Sequence, residues 1–186
     1  MSKKRDMLIA DDDYESIGLL LKIRAPSLLI GLVLGSGISF ATSRFAEVLT
    51  QSVQVAYFLP FIIYIADSIG SQTEAIYSRS LEKGEAKFGT YLVKESMLGI
   101  IFGIAFGTLA SVAVLMWLDN GLLAKSIAIA TFLAIASAPV TALIVTQACQ
   151  FIHEDPAAGS GPIATVIQDM ISVIIYGTVC SAILLG

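Results

Sequence analysis

Apolar segments of about 20 residues recur along this chain, and each can cross the ~30 Å hydrocarbon core of a membrane as a helix. A bilayer offers no water to the peptide groups, so a spanning segment of this kind must satisfy its hydrogen bonds internally, as a helix does. The sequence is 56% hydrophobic and only 14% charged, whereas a soluble domain has about 25% charged residues. These features predict an all-α integral membrane protein.

Five transmembrane helices are predicted, within one domain that covers residues 23–186. Their expected limits are Pro26–Phe45, Val53–Tyr77, Glu95–Trp117, Lys125–Phe151 and Pro162–Leu185. Residues 1–22 are predicted to be a cytoplasmic N-terminal segment, in which Tyr14–Lys22 has the composition of a short interfacial helix. Pro60 and Pro139 fall inside predicted spans and are expected to kink them, because proline lacks the N–H that bonds to the preceding turn.

The basic residues predict the orientation of the five helices, since Lys and Arg concentrate on the cytoplasmic side of a membrane. With the N-terminus inside, the cytoplasmic flanks hold Lys3, Lys4, Arg5, Lys22, Arg24, Arg79, Lys83, Lys87 and Lys94. The outer flanks hold only Arg44 and Lys125. An odd number of spans then places the C-terminus outside, and the cytoplasmic (inner) membrane of the cell is the expected location.

Small residues spaced by four predict close contacts between helices. They are Gly31 and Gly35 in the first span and Gly99, Gly103 and Gly107 in the third. Such residues let two helix backbones approach each other where lipid surrounds both. The pattern fits packing within one subunit and also contact between subunits.

Asp169 is the costliest residue of the fifth span, where it follows two turns of apolar helix. A carboxylate near the centre of a lipid-facing helix costs roughly 2.5–3.5 kcal/mol on insertion scales. Thr165, Asp169, Ser172 and Tyr176 lie at positions that share one helix face. Asp169 therefore needs a partner, a wet cavity or a bound cation.

The second span carries a similar polar stripe. Its members at shared helical positions are Asp67, Ser71, Glu74 and Ser78, with Gln72 and Thr73 beside them. Two stripes contain carboxylates, and no Lys or Arg lies at membrane depth to pair with them. The pattern indicates a route for cations.

Other interpretations of these carboxylates stay open at this point. A membrane Asp can be protonated or can hydrogen-bond a neighbouring helix as structural glue, and Glu74 can lie at the interface near Arg79. Asp67 and Asp169 can also be imagined as the paired carboxylates of an intramembrane aspartyl enzyme. Their neighbours Ser68 and Gln168 do not resemble the glycine-flanked aspartates of such enzymes.

No other enzyme signature is present. The sequence lacks a Gly-x-Ser-x-Gly elbow, a phosphate-binding loop and a pair of histidines. His153, Glu154 and Asp155 are expected to be solvated loop residues. Cys149 and Cys180 fall in predicted spans, so no disulfide is expected. These features favour a protein that is not an enzyme.

The two polar spans resemble those of MgtE-type magnesium transporters. In the second span the matching elements are Phe58-Leu-Pro60, Gly70-Ser-Gln72 and Arg79. In the fifth they are Asp155-Pro-Ala157, Ser160-Gly-Pro162 and Thr165 to Asp169, and the start of the first span adds Arg24-Ala-Pro26. The resemblance covers residues 20–186 and also extends to the eukaryotic solute-carrier relatives of that family.

The resemblance implies a homodimer with five helices per subunit and a pore on the two-fold axis, lined by the second and fifth helices of both copies. It makes Asp169 the central magnesium residue, so that one ion meets two carboxylates. Asp67 and Thr165 are expected to contribute to metal binding, and the expected pore-lining residues are Ser71, Glu74, Gln72, Gln168 and Ser172. Mg²⁺ is then the expected transported ion. Other divalent ions and the lipid bilayer are the remaining expected partners. No nucleic-acid partner is expected.

The sequence departs from the family pattern at three places. Ala66-Asp67-Ser68 replaces Gly-Gly-Asn, and Gln168 stands where the family often has Thr. The large cytoplasmic N-terminal and CBS domains are also missing from this sequence, so transport without sensor-domain gating is expected. The alternatives are Na⁺- or H⁺-coupled exchange of Mg²⁺ and, less favoured, a structural membrane subunit.

Overall fold

The computed structural model describes residues 13–152 and 156–186, with the side chains of 151–152 and 156–160 left aside. The helices are α1 (Ile17–Ser43), α2 (Ala46–Gln51), α3 (Val53–Glu82), α4 (Phe88–Leu118), α5 (Gly121–Ile152) and α6 (Pro156–Leu184). All except the short α2 contain a segment long and apolar enough to cross a membrane. The prediction of an all-α chain with five membrane-spanning helices is therefore confirmed.

Each of the five long helices extends beyond its predicted limits at one end at least, because the helical backbone continues through residues that flank the apolar segment. α1 begins at Ile17, where Ser16 Oγ accepts a hydrogen bond from the Leu19 N–H at 3.4 Å. Most of the predicted interfacial segment is thus continuous with the first span; its place at a membrane surface stays a prediction. α3 and α5 run through Pro60 and Pro139 without interruption.

The short helix α2 was missed by the sequence prediction because six residues show no helical periodicity. Phe45, which precedes it, packs its ring against Gly177 of α6, where a Cβ atom would lie 2.2 Å from the ring. Val48 within α2 is buried in the same cluster. α2 therefore closes one end of the bundle between α3 and α6.

Helix α5 is the centre of the bundle and packs against α3, α4 and α6. In the most apolar 18-residue segment of α5, 56% of the residues are buried, whereas in that of α1 only 6% are buried. Helix α1 lies at the periphery and packs on α6. One face of α5 is a fully buried alanine stripe at four-residue spacing, made of Ala130, Ala134, Ala138 and Ala142. Small side chains on this face let α3 and α6 approach the α5 backbone closely.

The glycine ladder of α4 faces α5. A Cβ atom at Gly99 would lie 3.2 Å from the Ala136 carbonyl oxygen, one at Gly103 2.9 Å from that of Phe132, and one at Gly107 2.7 Å from that of Ala128. The ladder thus serves packing within the subunit. Gly35 of α1 has nothing within 4 Å of such an atom.

Three side-chain hydrogen bonds anchor the C-terminal half of α3, which makes few other contacts with α4. Thr73 Oγ1 donates to Glu95 Oε2 of α4 at 2.8 Å. Tyr77 donates its hydroxyl hydrogen to Gln147 of α5, and the hydroxyls of Ser80 and Tyr91 lie 2.6 Å apart. Near the other end of α3, the Tyr176 hydroxyl of α6 donates to the Val55 carbonyl.

Both cysteines, Cys149 of α5 and Cys180 of α6, are buried thiols. Tyr176, which the sequence places on the same helix face as Asp169, is only 1% exposed. Its ring belongs to the main core cluster, together with Cys180 one turn further on. Tyr176 is therefore a packed aromatic residue that joins α6 to α3.

Replacing Gly107 by alanine is expected to destabilise the protein, because the new methyl group meets the Ala128 carbonyl at 2.7 Å. Overpacking of this kind typically costs about 1–3 kcal/mol. The midpoint of thermal unfolding in detergent should fall. Gly35→Ala is the matched control, and an equal midpoint for both variants would contradict the assigned α4–α5 contact.

Replacing Thr73 by valine is expected to lower the unfolding midpoint as well, because Glu95 then loses its buried hydroxyl partner. Losing a hydrogen bond to a charged group typically costs about 1.5–3 kcal/mol. Thr108→Val is the matched control, since that exposed hydroxyl bonds only to the Ile104 carbonyl of its own helix. A larger loss at Thr108 than at Thr73 would show that the Thr73–Glu95 bond does not anchor α3.

Candidate functional site

The polar stripes of α3 and α6 meet at a small cavity against α5. Its lining consists of Asp67, Gly70, Ser71, Glu74, Ala138, Ala142, Ala164, Thr165 and Gln168. Five of these nine residues are polar or acidic, and none is basic. The structure therefore brings together Asp67, Ser71, Glu74, Thr165 and Gln168, which the sequence places on two separate helices.

Small residues on all three helices make this meeting possible. A Cβ atom at Gly70 would lie 3.6 Å from the Ala138 carbonyl oxygen, so α3 and α5 are in backbone contact beside the cavity. On the α6 side, a Cβ atom at Gly161 would lie 3.7 Å from Glu74 Oε1. The carboxylate of Glu74 therefore lies next to the beginning of α6.

Gln168 is held rigidly in the wall of the cavity. It is 3% exposed, and its Nε2 donates to the Ala134 carbonyl at 3.3 Å and to Ser172 Oγ at 3.2 Å. Because a carbonyl can only accept, the bond to Ala134 fixes which end of the amide carries nitrogen. The opposite atom, Oε1, is buried and has no hydrogen-bond partner among the described residues.

Asp169 lies next to Gln168 but does not line the cavity. The residue is partly exposed, yet its Oδ1 atom is buried without a hydrogen-bond partner among residues 13–152 and 156–186. The negative charge of Asp67 acts on it electrostatically. Two carboxylates from different helices thus share one region of the subunit.

Two of the residues predicted to line a pore, Gln72 and Ser172, do not line this cavity. Ser172 is fully buried and serves as the hydrogen-bond partner of Gln168, so it supports the cavity rather than lining it. Gln72 is exposed on the surface of α3 and is absent from the lining. Its neighbour Thr73 is buried instead and binds Glu95. Sequence periodicity locates the stripe but does not decide between adjacent positions at its edge.

The described part of one subunit contains no group of three or more His, Cys, Asp or Glu side chains that could hold a metal ion. The carboxylates near the cavity come as Asp67 and Glu74 on α3 and Asp169 on α6. His153, Glu154 and Asp155 lie outside the described residues. A bare divalent ion would therefore find too few charged ligands within this part of a single subunit.

Comparison with known proteins finds similarity to one family of membrane proteins. The model of the MgtE family, described as divalent cation transporter, matches residues 59–179. The chain is similar to the magnesium transporter MgtE of Bacillus subtilis, with 30% identity over 83% of this chain and 34% of the relative. It is also similar to the MgtE of Enterococcus faecalis, with 27% identity over 85% of this chain and 36% of that protein.

The chain spans about a third of the length of the curated relatives that it matches. The family match begins in α3 and ends in α6, so it includes both polar stripes and the cavity between them. Five helices suited to membrane crossing accompany it, as expected for a multi-pass membrane protein. This chain belongs to the MgtE family of divalent cation transporters.

Proposed function

We propose that this protein transports divalent cations, with Mg²⁺ as the principal ion, across the cytoplasmic membrane. The observation that carries the proposal is the buried Oδ1 of Asp169, which has no hydrogen-bond partner among the described residues. A buried carboxylate oxygen without a partner is costly, and a cation is the partner that compensates the charge of the group. The names of the two similar bacterial proteins support magnesium as that cation.

The pathway forms between two copies of the chain, with α3 and α6 of each copy around a two-fold axis. Ser71 and Gln72 support this arrangement because they are exposed on α3 in a single subunit. Polar side chains within a membrane span avoid lipid and face a protein interior or water-filled cavity. A second copy covers them and also doubles the number of Asp169 carboxylates near one ion.

Mg²⁺ travels along this pathway with much of its water shell, because it dehydrates reluctantly. The two Asp169 carboxylates attract the ion and accept hydrogen bonds from its water molecules. Asp67 strengthens the negative field from α3, while the hydroxyls of Ser71 and Thr165 bond to water at the side of the pathway. Glu74 adds negative charge near the beginning of α6. The N-terminus is cytoplasmic in this proposal.

Asp169→Asn is expected to abolish Mg²⁺ uptake into proteoliposomes, since the amide keeps the shape of the side chain but removes the charge. Uptake is measured with a magnesium-sensitive dye inside the vesicles. Asp119→Asn is the matched control, because Asp119 is exposed at the end of α4 with a positive φ that Asn tolerates. Near-normal uptake by the Asp169 variant would remove Asp169 from the pathway and overturn the proposal.

Asp67→Asn is expected to weaken Mg²⁺ binding while leaving the Asp169 pair in place. A loss of about 1 kcal/mol in field energy corresponds to roughly a five-fold rise in the half-saturating Mg²⁺ concentration. The measurement is the concentration dependence of uptake, with Mn²⁺ and Ca²⁺ as competitors. An unchanged affinity and selectivity would make Asp67 a structural residue only.

Coupled exchange is the second candidate function, and the cavity beside Asp67 favours it. An exchanger requires a Na⁺ or proton gradient for Mg²⁺ movement, whereas a channel passes Mg²⁺ along its own gradient. Flux into vesicles with and without each gradient therefore separates the two mechanisms. A structural subunit or an intramembrane aspartyl enzyme would show no flux in either condition.

A further inference from the structure

We propose that α2, with Phe45 at its beginning, is a movable seal over one end of the ion pathway. The Phe45 ring holds this seal closed against Gly177 of α6. While it is closed, ions and water do not reach Asp169 from that end, which is the outer end in the orientation proposed above. The effect of the seal on Mg²⁺ rests on the proposed transport function, whereas the closed contact is testable without transport.

Both polar stripes continue toward α2 as apolar faces. On α6, Val173 and Gly177 follow Asp169 by one and two helical turns. On α3, Leu59 precedes Asp67 by two turns. A hydrated ion that leaves the carboxylates toward this end therefore meets apolar side chains on both helices.

The two apolar faces meet at a second cavity, which lies under α2. Leu59 of α3 and Val173 of α6 line it, and Phe45, Val48 and Leu49 contribute from the α2 side. Val48 is 1% exposed and Val173 is 2% exposed, so both are closed off from water. The α2 segment thus lies across the route that the two faces outline.

The two hydroxyl groups in the lining of this cavity are already engaged by the backbone. Thr42 Oγ1 donates to the Ile38 carbonyl at 2.8 Å, and the Tyr176 hydroxyl donates to the Val55 carbonyl. The other side chains of the lining are apolar. Apolar cavities stay dry, and apolar constrictions stop ions by excluding water. The closed seal is therefore a barrier to hydrated Mg²⁺.

The attachment of α2 to the bundle is suited to movement. The helix has six residues, and no described side chain caps its first turn. A helix this short is not stable by itself. The side-chain hydrogen bonds of Thr50 and Gln51 stay within α2. The apolar contacts of Phe45 and Val48 therefore hold the segment against α3 and α6.

Gly177 is the seat of the Phe45 ring. A Cβ atom at position 177 would lie 2.2 Å from the ring, far inside the separation of about 3.5–4.0 Å at which carbon atoms pack. Any side chain at this position thus displaces the ring. The closed state of the seal therefore depends on one contact that can be locked or loosened by substitution.

A reversible disulfide across this contact tests the seal. Cγ of Phe45 lies 2.2 Å from the Cβ position of Gly177 and is bonded to the Cβ atom of Phe45. Two cysteines at these positions therefore approach the Cβ–Cβ separation of about 3.8 Å that a disulfide requires. Phe45→Cys/Gly177→Cys is made in the full-length chain, with Cys149 and Cys180 replaced by alanine.

The reduced double-cysteine protein is expected to take up Mg²⁺ into proteoliposomes, and the oxidised protein is expected to lose that uptake until the disulfide is reduced again. The two single-cysteine variants are the matched controls and should not respond to oxidation. Unchanged uptake after complete cross-linking would overturn the proposal. Failure of the two cysteines to form a disulfide would contradict the closed contact.

Loosening the seal is expected to have the opposite effect, with the native cysteines in place. Phe45→Ala removes the ring and Gly177→Ala displaces it, so each should raise Mg²⁺ uptake by up to roughly ten-fold, which is within the effect of one buried phenylalanine contact. The double variant should equal Phe45→Ala, because no ring is left to displace. Gly35→Ala, which adds a methyl group in open space, is the control. Lower uptake in both single variants would overturn the seal.

Thiol labelling separates this proposal from the proposed transport function. Val173→Cys, made without Cys149 and Cys180, is expected to react slowly with a water-soluble maleimide. Adding Phe45→Ala should make that reaction several-fold faster. Equal rates would overturn the seal, whatever the protein transports. Faster labelling, together with absence of Mg²⁺ uptake by the unsubstituted protein, would refute the transport function instead and leave α2 as a movable cover.

Discussion

Close backbone contact with α5 is the interaction on which the rest of the bundle depends. Its buried alanine stripe admits α3 and α6 on one face, and the opposite carbonyls meet the glycine ladder of α4. In a membrane no hydrophobic effect drives helices together, so shape and hydrogen bonding must hold them. Helix α5, which contains no acidic residue, therefore sets the geometry of the cavity that Asp67 and Glu74 line.

Helix α5 also contributes directly to the chemistry of the cavity, through its backbone. The Ala134 carbonyl fixes the amide of Gln168, and Ala138 and Ala142 form the apolar wall. A larger side chain at either alanine would fill the space, which has room for about one water molecule. The size of the cavity is thus limited by residues that carry no charge.

Much of this fold was predictable from the sequence, because twenty-residue apolar segments leave helices as the only spanning structure. The stripes of α3 and α6 were predictable from the helical spacing of their polar residues, and both contribute to one cavity. The exposed position of Gln72 and the anchoring role of Thr73 were not, since neighbouring helix positions differ only by rotation. The orientation of the Gln168 amide, and with it the unpartnered oxygen, depends on the hydrogen bond from Nε2 to the Ala134 carbonyl. Ala134 lies 34 residues earlier in the chain, and no local sequence pattern encodes such a contact.

The hydrogen bonds along α3 have a mechanical consequence. Tyr176 holds the helix at Val55, and Thr73 and Tyr77 hold it on the far side of Asp67. A rod fixed at two points resists tilting and yields by bowing between them. Pro60 lies in that interval and lacks one backbone hydrogen bond. Bending of α3 is therefore expected to concentrate near Pro60, and such bending changes the distance from Asp67 to α6.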